Sequence, residues 1–128
     1  MTKKTHIDVK SIHLVEGKGS KGRGGDPDGF YWHIYVDEKR VGYVFVNVIE
    51  DEILGKHPSL QIHINKGQRG KGIGQVAYRL ACEASSYPKV FAHMRKSNIA
   101  SRAAAKRAGF KILNNKRFSQ LVMVWERH

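Results

Sequence analysis

The sequence predicts one mixed α/β domain, in which a sheet of about seven mostly antiparallel strands packs against two main helices. The length of 128 residues matches a single domain, and an apolar content of 41% is enough for one buried core. Short β-branched and aromatic runs alternate with two segments of helical periodicity. The order is strand, long loop, three strands, helix, strand, helix and two strands, so we treat residues 1–128 as one α+β domain.

The first half of the chain predicts four strands and one long loop. Thr5 to Val15 predicts a strand with a bend near Ser11, where the apolar register slips. Residues 16–29 hold six glycines, one proline and no large apolar residue, which predicts a flexible loop. The remaining elements are a hairpin at 30–36 and 41–49, an acidic turn at 50–52, an irregular connection at 53–58 and a strand at 60–65.

The second half predicts both helices and three strands. Apolar residues at helical spacing predict a helix from near Gly72 to Tyr87-Pro88, and residues 89–94 predict the strand that follows. Ser97 is a natural N-cap for a second helix, and Gly109 is its expected left-handed C′ residue. Residues 110–113 and 118–125 predict the last two strands.

The charge of the chain is concentrated in one segment. The chain carries 23 Lys and Arg against 11 Asp and Glu, a formal net charge of +12. Residues 66–117 hold thirteen of these bases and one acid, so the whole excess lies there. A solvated basic face is one interpretation, and binding of an anion is the other. A glycine-rich turn in the same segment favours the anion.

Other features of the sequence exclude several classes of protein. The single cysteine, Cys82, cannot form an internal disulfide, and no apolar run behind the basic N-terminus resembles a signal peptide. No apolar stretch approaches the roughly 20 residues that cross a bilayer. We therefore expect a cytoplasmic protein that makes no contact with a membrane. The seven histidines show no H-x-x-x-H pair and no cysteine cluster accompanies them, so no metal site is predicted.

The strongest local signal is a glycine-rich turn between a predicted strand and an amphipathic helix, Gly67-Gln68-Arg69-Gly70-Lys71-Gly72-Ile73-Gly74. Backbone amides in such a turn point outward and the helix dipole adds positive charge, so a pyrophosphate would fit there. The turn is not a Walker A loop, because Gln75 and Val76 follow Gly74. It is not a dinucleotide turn either, because it follows the fourth strand instead of the first.

Two motifs resemble the GNAT superfamily of N-acetyltransferases. Arg69 to Gly74 is similar to the family's acetyl-coenzyme A signature R/Q-x-x-G-x-G/A, which also follows the fourth strand. Ser97 to Phe110 is similar to its second signature, in which an asparagine opens the last helix and a Gly-Phe pair ends it. The resemblance covers roughly residues 60–113. It implies a GNAT-like fold whose first helical pair is replaced by the glycine-rich loop at 16–29.

The resemblance also implies acetyl-coenzyme A (acetyl-CoA) as co-substrate and assigns residues to it. The Ile64 amide would face the thioester carbonyl, with Asn65 beside the pantetheine arm. Asn98 would bind the pantetheine or brace the strands, and Ser101 would reach the sulfur; helix capping is the competing role for both. The amides that would hold the pyrophosphate belong to Gln68, Arg69, Gly70, Lys71, Gly72, Ile73 and Gly74.

The catalytic acid and base stay open at this point. The family's tyrosine, seven residues after the asparagine, is Ala105 here, so Ser101, a water or no protein acid would protonate the sulfur. The family's glutamate on the fourth strand is Gln61, which cannot accept a proton. His63 shares its face and is a candidate base. A water relay is another alternative, and the acidic turn supplies two more candidates, Glu50 and Glu52.

The basic segment bears on what is acetylated. Coenzyme A carries roughly four negative charges, fewer than the thirteen bases could neutralise. We therefore expect an amine acceptor that is itself an anion or is linked to one, such as RNA or a nucleic-acid-bound protein. Without the helical pair the acceptor side is open, to be completed by a macromolecule or by a second subunit of a homodimer. The alternative function is a basic nucleic-acid-binding domain that retains the acetyltransferase fold.

Overall fold

The structure, a computed structural model, describes residues 7–128, and within them seven strands and two α-helices form one α/β unit. The helices are α1 (Ile73–Ser85) and α2 (Ile99–Arg107), and two 3₁₀ turns span Val9–Ser11 and Lys66–Gln68. The strands are β1 (Ile12–Glu16), β2 (Phe30–Val36), β3 (Lys39–Asp51), β4 (Gly55–Ile64), β5 (Lys89–Met94), β6 (Lys111–Ile112) and β7 (Leu121–Glu126).

The seven strands form a single sheet in the order β1-β2-β3-β4-β5-β7-β6 within the described part of the chain. β4 and β5 are parallel, and the other neighbouring pairs are antiparallel. The connection from β4 to β5 is α1, as parallel neighbours require a crossover. The predicted mixed, mostly antiparallel sheet with two main helices is confirmed.

The start of the chain differs from its predicted strand. Thr5 and His6 lie outside the described residues, and the bend expected near Ser11 is the 3₁₀ turn Val9–Ser11. The Asp8 side chain accepts a hydrogen bond from the Lys10 amide at 3.0 Å, which stabilises that turn. The strand therefore begins only at Ile12.

The predicted irregular connection at 53–58 is wrong, because residues 55–58 belong to β4. Asp51 pairs with Gly55 across a three-residue turn, and Pro58 lies opposite Val48 in the β3–β4 ladder. Gly55 has a φ of 67°, the left-handed conformation that closes such a turn. Asp51 Oδ1 also accepts hydrogen bonds from the amides of Ile53 and Leu54. Residues 50–58, which include the acidic turn and Pro58, are therefore part of a regular β-hairpin.

The last two strands are shorter than predicted. β6 is two residues long, and β7 begins at Leu121, not at Phe118. The Phe118 amide donates to the Asn115 carbonyl at 3.0 Å, so a turn occupies the positions where the second strand was expected to start. Local hydrogen bonds of the polar turn therefore replace ladder pairing there.

The two ends of α2 show one error and one success of the prediction. Asn98, not Ser97, is the N-cap, and its Oδ1 accepts from the Ser101 amide at 3.1 Å. Gly109 has a φ of 105° and follows the helix as expected. Its amide donates to the Lys106 carbonyl, and the Phe110 amide donates to the Ala105 carbonyl, which is the Schellman pattern.

The hydrophobic core lies between one face of the sheet and α1. β4 contributes Leu60, and α1 contributes Val76, Ala77 and Cys82, all less than 4% exposed. Burial raises the pKa of the Cys82 thiol well above its ordinary value. The helix is thus held by apolar contact along one side, and its thiol is structural.

The glycine-rich loop crosses the opposite face of the sheet along a defined path. The Asn47 side chain accepts from the Gly24 amide and donates to the Gly22 carbonyl, both at 2.6 Å. A Cβ built on Gly24 would lie 2.1 Å from the Phe30 carbonyl oxygen, so only glycine allows this approach. Tyr87 adds a third tie by donating its hydroxyl to the Asp28 carbonyl. The flexibility of this loop stays a prediction.

The membrane question can be addressed for the described residues. No helix within residues 7–128 is both long enough and apolar enough to span a bilayer.

Candidate functional site

The glycine-rich turn leaves the start of α1 open. Gly70 and Gly72 have φ values of 78° and 83°, a conformation that glycine adopts without steric cost. Gly72 is the N-cap of α1, and no side chain of residues 7–128 caps the helix there. Within the described residues, the amides of the first turn of this 13-residue helix therefore lack a side-chain partner at the position where the helix dipole is positive. Such an end is suited to hold a phosphate.

Polar contacts hold this turn against the end of β4. Arg69 Nε donates to the Ile64 carbonyl at 3.0 Å, which spans the connection between strand and helix. Lys71 Nζ donates to Gln68 Oε1 at 3.3 Å within the turn. The Ile7 amide donates to the Lys71 carbonyl at 3.1 Å. The predicted phosphate-binding residues are thus brought together around one helix start.

The end of β4 presents a free edge beside the turn. β4 and β5 are bridged where Ser59 lies opposite Phe91, and β4 runs on to Ile64 with no further bridge to β5 in the described chain. The Asn65 amide donates to the Val41 carbonyl, so the preceding pair, Ile64 and Gly42, is of the non-hydrogen-bonded type. The Ile64 N–H therefore points away from β3, into the space that β5 leaves.

A pair of hydroxyl groups lies at the start of α2. Ser101 Oγ is 2.6 Å from the hydroxyl of Tyr78, a residue of α1 that is only 2% exposed. Burial raises the pKa of Tyr78, so its phenol stays protonated through the neutral range. Asn98 has the capping role that competed with coenzyme binding, while Ser101 keeps its hydroxyl for Tyr78.

Tyr78 was not predicted as a site residue from the sequence. Its spacing on α1 is that of the buried face, and a tyrosine there is ordinarily a core residue. Only its contact with Ser101 marks Tyr78 as a site residue, and Ser101 lies 23 residues further along the chain. Ala105, at the position of the family's tyrosine, is fully buried, so this helix directs that position into the core.

The structure separates the three candidate bases. His63 is exposed on the sheet face opposite α1 and stacks on Tyr43, with ring centroids 5.1 Å apart. It directly precedes Ile64, whose amide faces the open edge of β4. Glu50 lies opposite Lys56, eight residues along the ladder from Ile64, which corresponds to about 26 Å. Glu52 lies further on, in the turn. His63 alone among the three adjoins the Ile64 amide.

Comparison with known families decides where the chain belongs. A family model described as an acetyltransferase (GNAT) domain matches residues 10–111. The chain belongs to the GNAT acetyltransferase family. The match includes β1 to β5, both helices and the glycine-rich turn. A search of curated proteins gives no significant match.

Solved structures share the fold of this GNAT domain. The aminoglycoside acetyltransferase AAC(6')-Ib with coenzyme A and kanamycin matches with a TM-score of 0.65 at 19% identity, over 78% of this chain and 67% of that one. RimJ of Mycobacterium smegmatis with CoA-disulfide gives 0.64 at 19% identity, over 83% and 54%. The microcin C7 self-immunity acetyltransferase MccE with acetyl-CoA and AMP gives 0.63 at 17%, over 79% and 62%.

The GNAT domain is shorter than these proteins. It spans between 54% and 67% of their lengths, and its first two strands are joined by the glycine-rich loop without a helix in the described residues. At identities below 20% the likeness concerns the fold alone.

The basic segment of the GNAT domain is largely without acidic partners. Among residues 7–128, Arg79 lies 3.6 Å from Glu83 and Arg117 lies 3.9 Å from Glu52, and the other bases of residues 66–117 form no ion pair there. Arg102, on α2, is half-buried. The exposed bases of the α2 region and the following turn are Arg95, Lys96, Lys106, Arg107, Lys111, Lys116 and Arg117.

Proposed function

We propose that this chain is an acetyl-CoA-dependent N-acetyltransferase that transfers the acetyl group directly to a primary amine. The observation that carries the proposal is the uncapped start of α1 at Gly72, next to the free edge of β4. The two features together offer amides for a pyrophosphate and an extended strand edge for a pantetheine arm. Membership of the GNAT family supports the same conclusion.

The proposed roles follow from where each group lies. The Ile64 amide would stabilise negative charge on the acetyl oxygen as the amine nitrogen bonds to the carbonyl carbon. His63 would accept the proton that the amine must lose. When the carbon–sulfur bond breaks, the Ser101 hydroxyl would give a proton to the thiolate. Tyr78, whose hydroxyl is 2.6 Å from Ser101 Oγ, would donate a hydrogen bond to the serine oxygen, and the proton that leaves the amine through His63 and solvent would restore the serine hydroxyl.

Acetyl-CoA binding tests the proposal before any acceptor is known. A ligand that binds only the folded chain at 100 times its Kd stabilises it by about 2.7 kcal/mol. We expect acetyl-CoA to raise the thermal unfolding temperature and desulfo-CoA to do the same, because both carry the pyrophosphate. Release of CoA with a panel of primary amines then identifies acceptors.

The second function, a nucleic-acid-binding domain, is favoured by the unpaired bases of residues 66–117 and makes a different prediction. It is supported if millimolar acetyl-CoA leaves the unfolding temperature unchanged while RNA binds with an affinity that falls steeply with salt.

For the acetyltransferase, we propose an acceptor that is anionic or linked to an anion. Salt-independent activity on a small neutral amine would contradict that part of the proposal.

The hydroxyl pair provides a sharper test of the acid. Tyr78→Phe removes the hydroxyl and keeps the ring that packs edge-on against Phe110. Loss of one hydrogen bond of about 1.4 kcal/mol in the transition state lowers kcat about tenfold, and we expect the Kd of acetyl-CoA to stay the same. Tyr87→Phe is the matched control, because it removes a hydroxyl that donates to the Asp28 carbonyl. An equal loss of kcat in both variants would indicate a purely structural role.

A further inference from the structure

Three side chains from three strands meet where the β3–β4 hairpin turns. Asp51 ends β3, His57 lies near the start of β4, and His93 lies near the end of β5. One potential ligand atom from each lies within 4.8 Å of the other two. His57 Nε2 is 2.9 Å from His93 Nε2 and 3.9 Å from Asp51 Oδ2. Two imidazoles and a carboxylate are a donor set typical of zinc sites.

The ring of His57 is oriented so that its Nε2 is an acceptor whose lone pair faces His93 and Asp51. His57 Nδ1 lies 2.7 Å from the Gly55 carbonyl oxygen. A carbonyl can only accept, so Nδ1 is the nitrogen that bears hydrogen, and Nε2 is left as the acceptor facing His93 and Asp51. Histidines that ligate metals are oriented by a hydrogen bond of this kind.

The carboxylate of Asp51 is fixed in a comparable way. Its Oδ1 accepts from the amides of Ile53 and Leu54 at 2.9 and 2.6 Å. Its Oδ2 is left to face His57. These hydrogen bonds form the hairpin turn itself, so the direction of the carboxylate is set by the backbone fold and costs little further ordering.

Two of the three distances between the ligand atoms are close to those that a tetrahedral ion imposes, and the third is at most 4.8 Å. Bonds of about 2.0 Å place neighbouring ligand atoms about 3.3 Å apart. The two imidazole nitrogens would separate by about 0.4 Å and the Asp51–His57 pair would close by about 0.6 Å, which side-chain rotation supplies. In the metal-free protein, His93 Nε2–H donates to His57 Nε2. When a metal ion takes the place of that hydrogen, His93 would bind through Nε2 as the tautomer that carries its hydrogen on Nδ1.

An ion can reach these three side chains from the solvent. The three residues would also leave its fourth coordination position unfilled. His57 is 3% exposed, whereas the Asp51 side chain is 34% exposed. A cavity of about 380 Å³ reaches Asp51 and His93 from the solvent. Burial and the His57 ring lower the pKa of His93, and Asp51 opposes this shift. The other charged groups that line the cavity are Glu52 and Arg117, whose side chains lie 3.9 Å apart.

We propose that Asp51, His57 and His93 form a binding site for a divalent metal ion of the zinc class, with a fourth position open to the cavity. The nitrogen-rich donor set favours Zn²⁺ and Co²⁺ over Mg²⁺ or Ca²⁺, which take oxygen ligands. The ion joins the tip of the β3–β4 hairpin to β5. The site is separate from the glycine-rich turn and does not depend on the acetyl-transfer reaction.

Cobalt spectroscopy on the untagged, chelator-treated chain tests the site. Co²⁺ is expected to bind one to one and to give the visible absorption of a four-coordinate ion, and Zn²⁺ should displace it. Zn²⁺ should also raise the thermal unfolding temperature, because it binds only the folded arrangement of the three strands. Mg²⁺ at the same concentration should leave that temperature unchanged.

Variants assign the binding to the three residues. His93→Gln and Asp51→Asn are expected to weaken Co²⁺ binding at least about 100-fold, and Asp51→Asn keeps an oxygen for the Ile53 and Leu54 amides. The matched control is His13→Gln, which removes an exposed strand histidine stacked on Tyr35. Absence of cobalt absorption in the unaltered chain, or equal binding by His93→Gln and His13→Gln, would overturn the proposal. Unfolding temperatures of the metal-free variants check that each has folded.

Discussion

Replacing His63 with glutamine is expected to lower kcat for amine acetylation by about 10²- to 10⁴-fold. Glutamine keeps the polar character of this exposed position on β4 but cannot take the proton that an alkylammonium acceptor must lose. The backbone of Ile64, which would face the acetyl oxygen, is unchanged. We therefore expect the Kd of acetyl-CoA to stay within a factor of about two, because the Ile64 backbone and the glycine-rich turn that would hold the coenzyme are unchanged.

His13→Gln is the matched control for this experiment. Both histidines are exposed, lie on strands and stack on a tyrosine, His13 on Tyr35 at 5.6 Å and His63 on Tyr43 at 5.1 Å. Loss of stacking alone would affect both variants equally. If His63→Gln retains full kcat, the proton leaves through water or another group. A large loss of kcat in Glu50→Gln would contradict the inference that Glu50, about 26 Å from Ile64 along the hairpin, is too distant to act as the base.

Gly72→Leu is expected to weaken acetyl-CoA binding about 100-fold, a loss of about 2.7 kcal/mol. The side chain would stand at the N-cap of α1, where the phosphates must approach the backbone. Because the φ of Gly72 is 83°, a residue with a Cβ is also strained there, and we expect the free energy of unfolding to fall by roughly 1–2 kcal/mol. Isothermal titration and denaturant unfolding measure the two effects separately.

Gly22→Leu separates strain from loss of binding. Gly22 has a φ of 78°, close to that of Gly72, and a Cβ placed there meets no atom of residues 7–128 within 4 Å. It lies in the glycine-rich loop, so its replacement should destabilise the chain by a similar amount and leave the Kd of acetyl-CoA unchanged. Equal affinities in the two variants would show that the turn at Gly72 serves only the connection between strand and helix.

The elements with regular patterns were predictable from the sequence. The helical spacing and the glycines at its start located α1, and the boundaries of β5 agree with the predicted 89–94. Errors arose where local chemistry offered two solutions. Ser97 and Asn98 are both good N-caps, and the path of the chain after β5 selects Asn98. Pro58 was predicted to end an irregular connection, yet it lies within β4.

The candidate site was predictable only where its residues are adjacent in the chain. The turn at 68–74 has its own spacing, so its position at the start of a helix could be deduced. Tyr78 and Ser101 meet through the packing of α1 against α2, and His57 and His93 meet across two parallel strands. Such contacts join residues 23 and 36 positions apart and leave no periodic signal in a single sequence.

Because the thiol of Cys82 is buried, the folded chain is expected not to react with thiol-specific dyes. Cys82 is the single cysteine, it has no exposed surface, and burial raises its pKa, so little thiolate forms. A dye present during turnover would therefore report only the thiol of the released coenzyme. When α1 opens, the same cysteine becomes reactive, and its slow labelling without substrate times the opening of the core. Because Cys82 is buried, one thiol reagent can follow catalysis through the released coenzyme and, in a separate experiment without substrate, unfolding through Cys82.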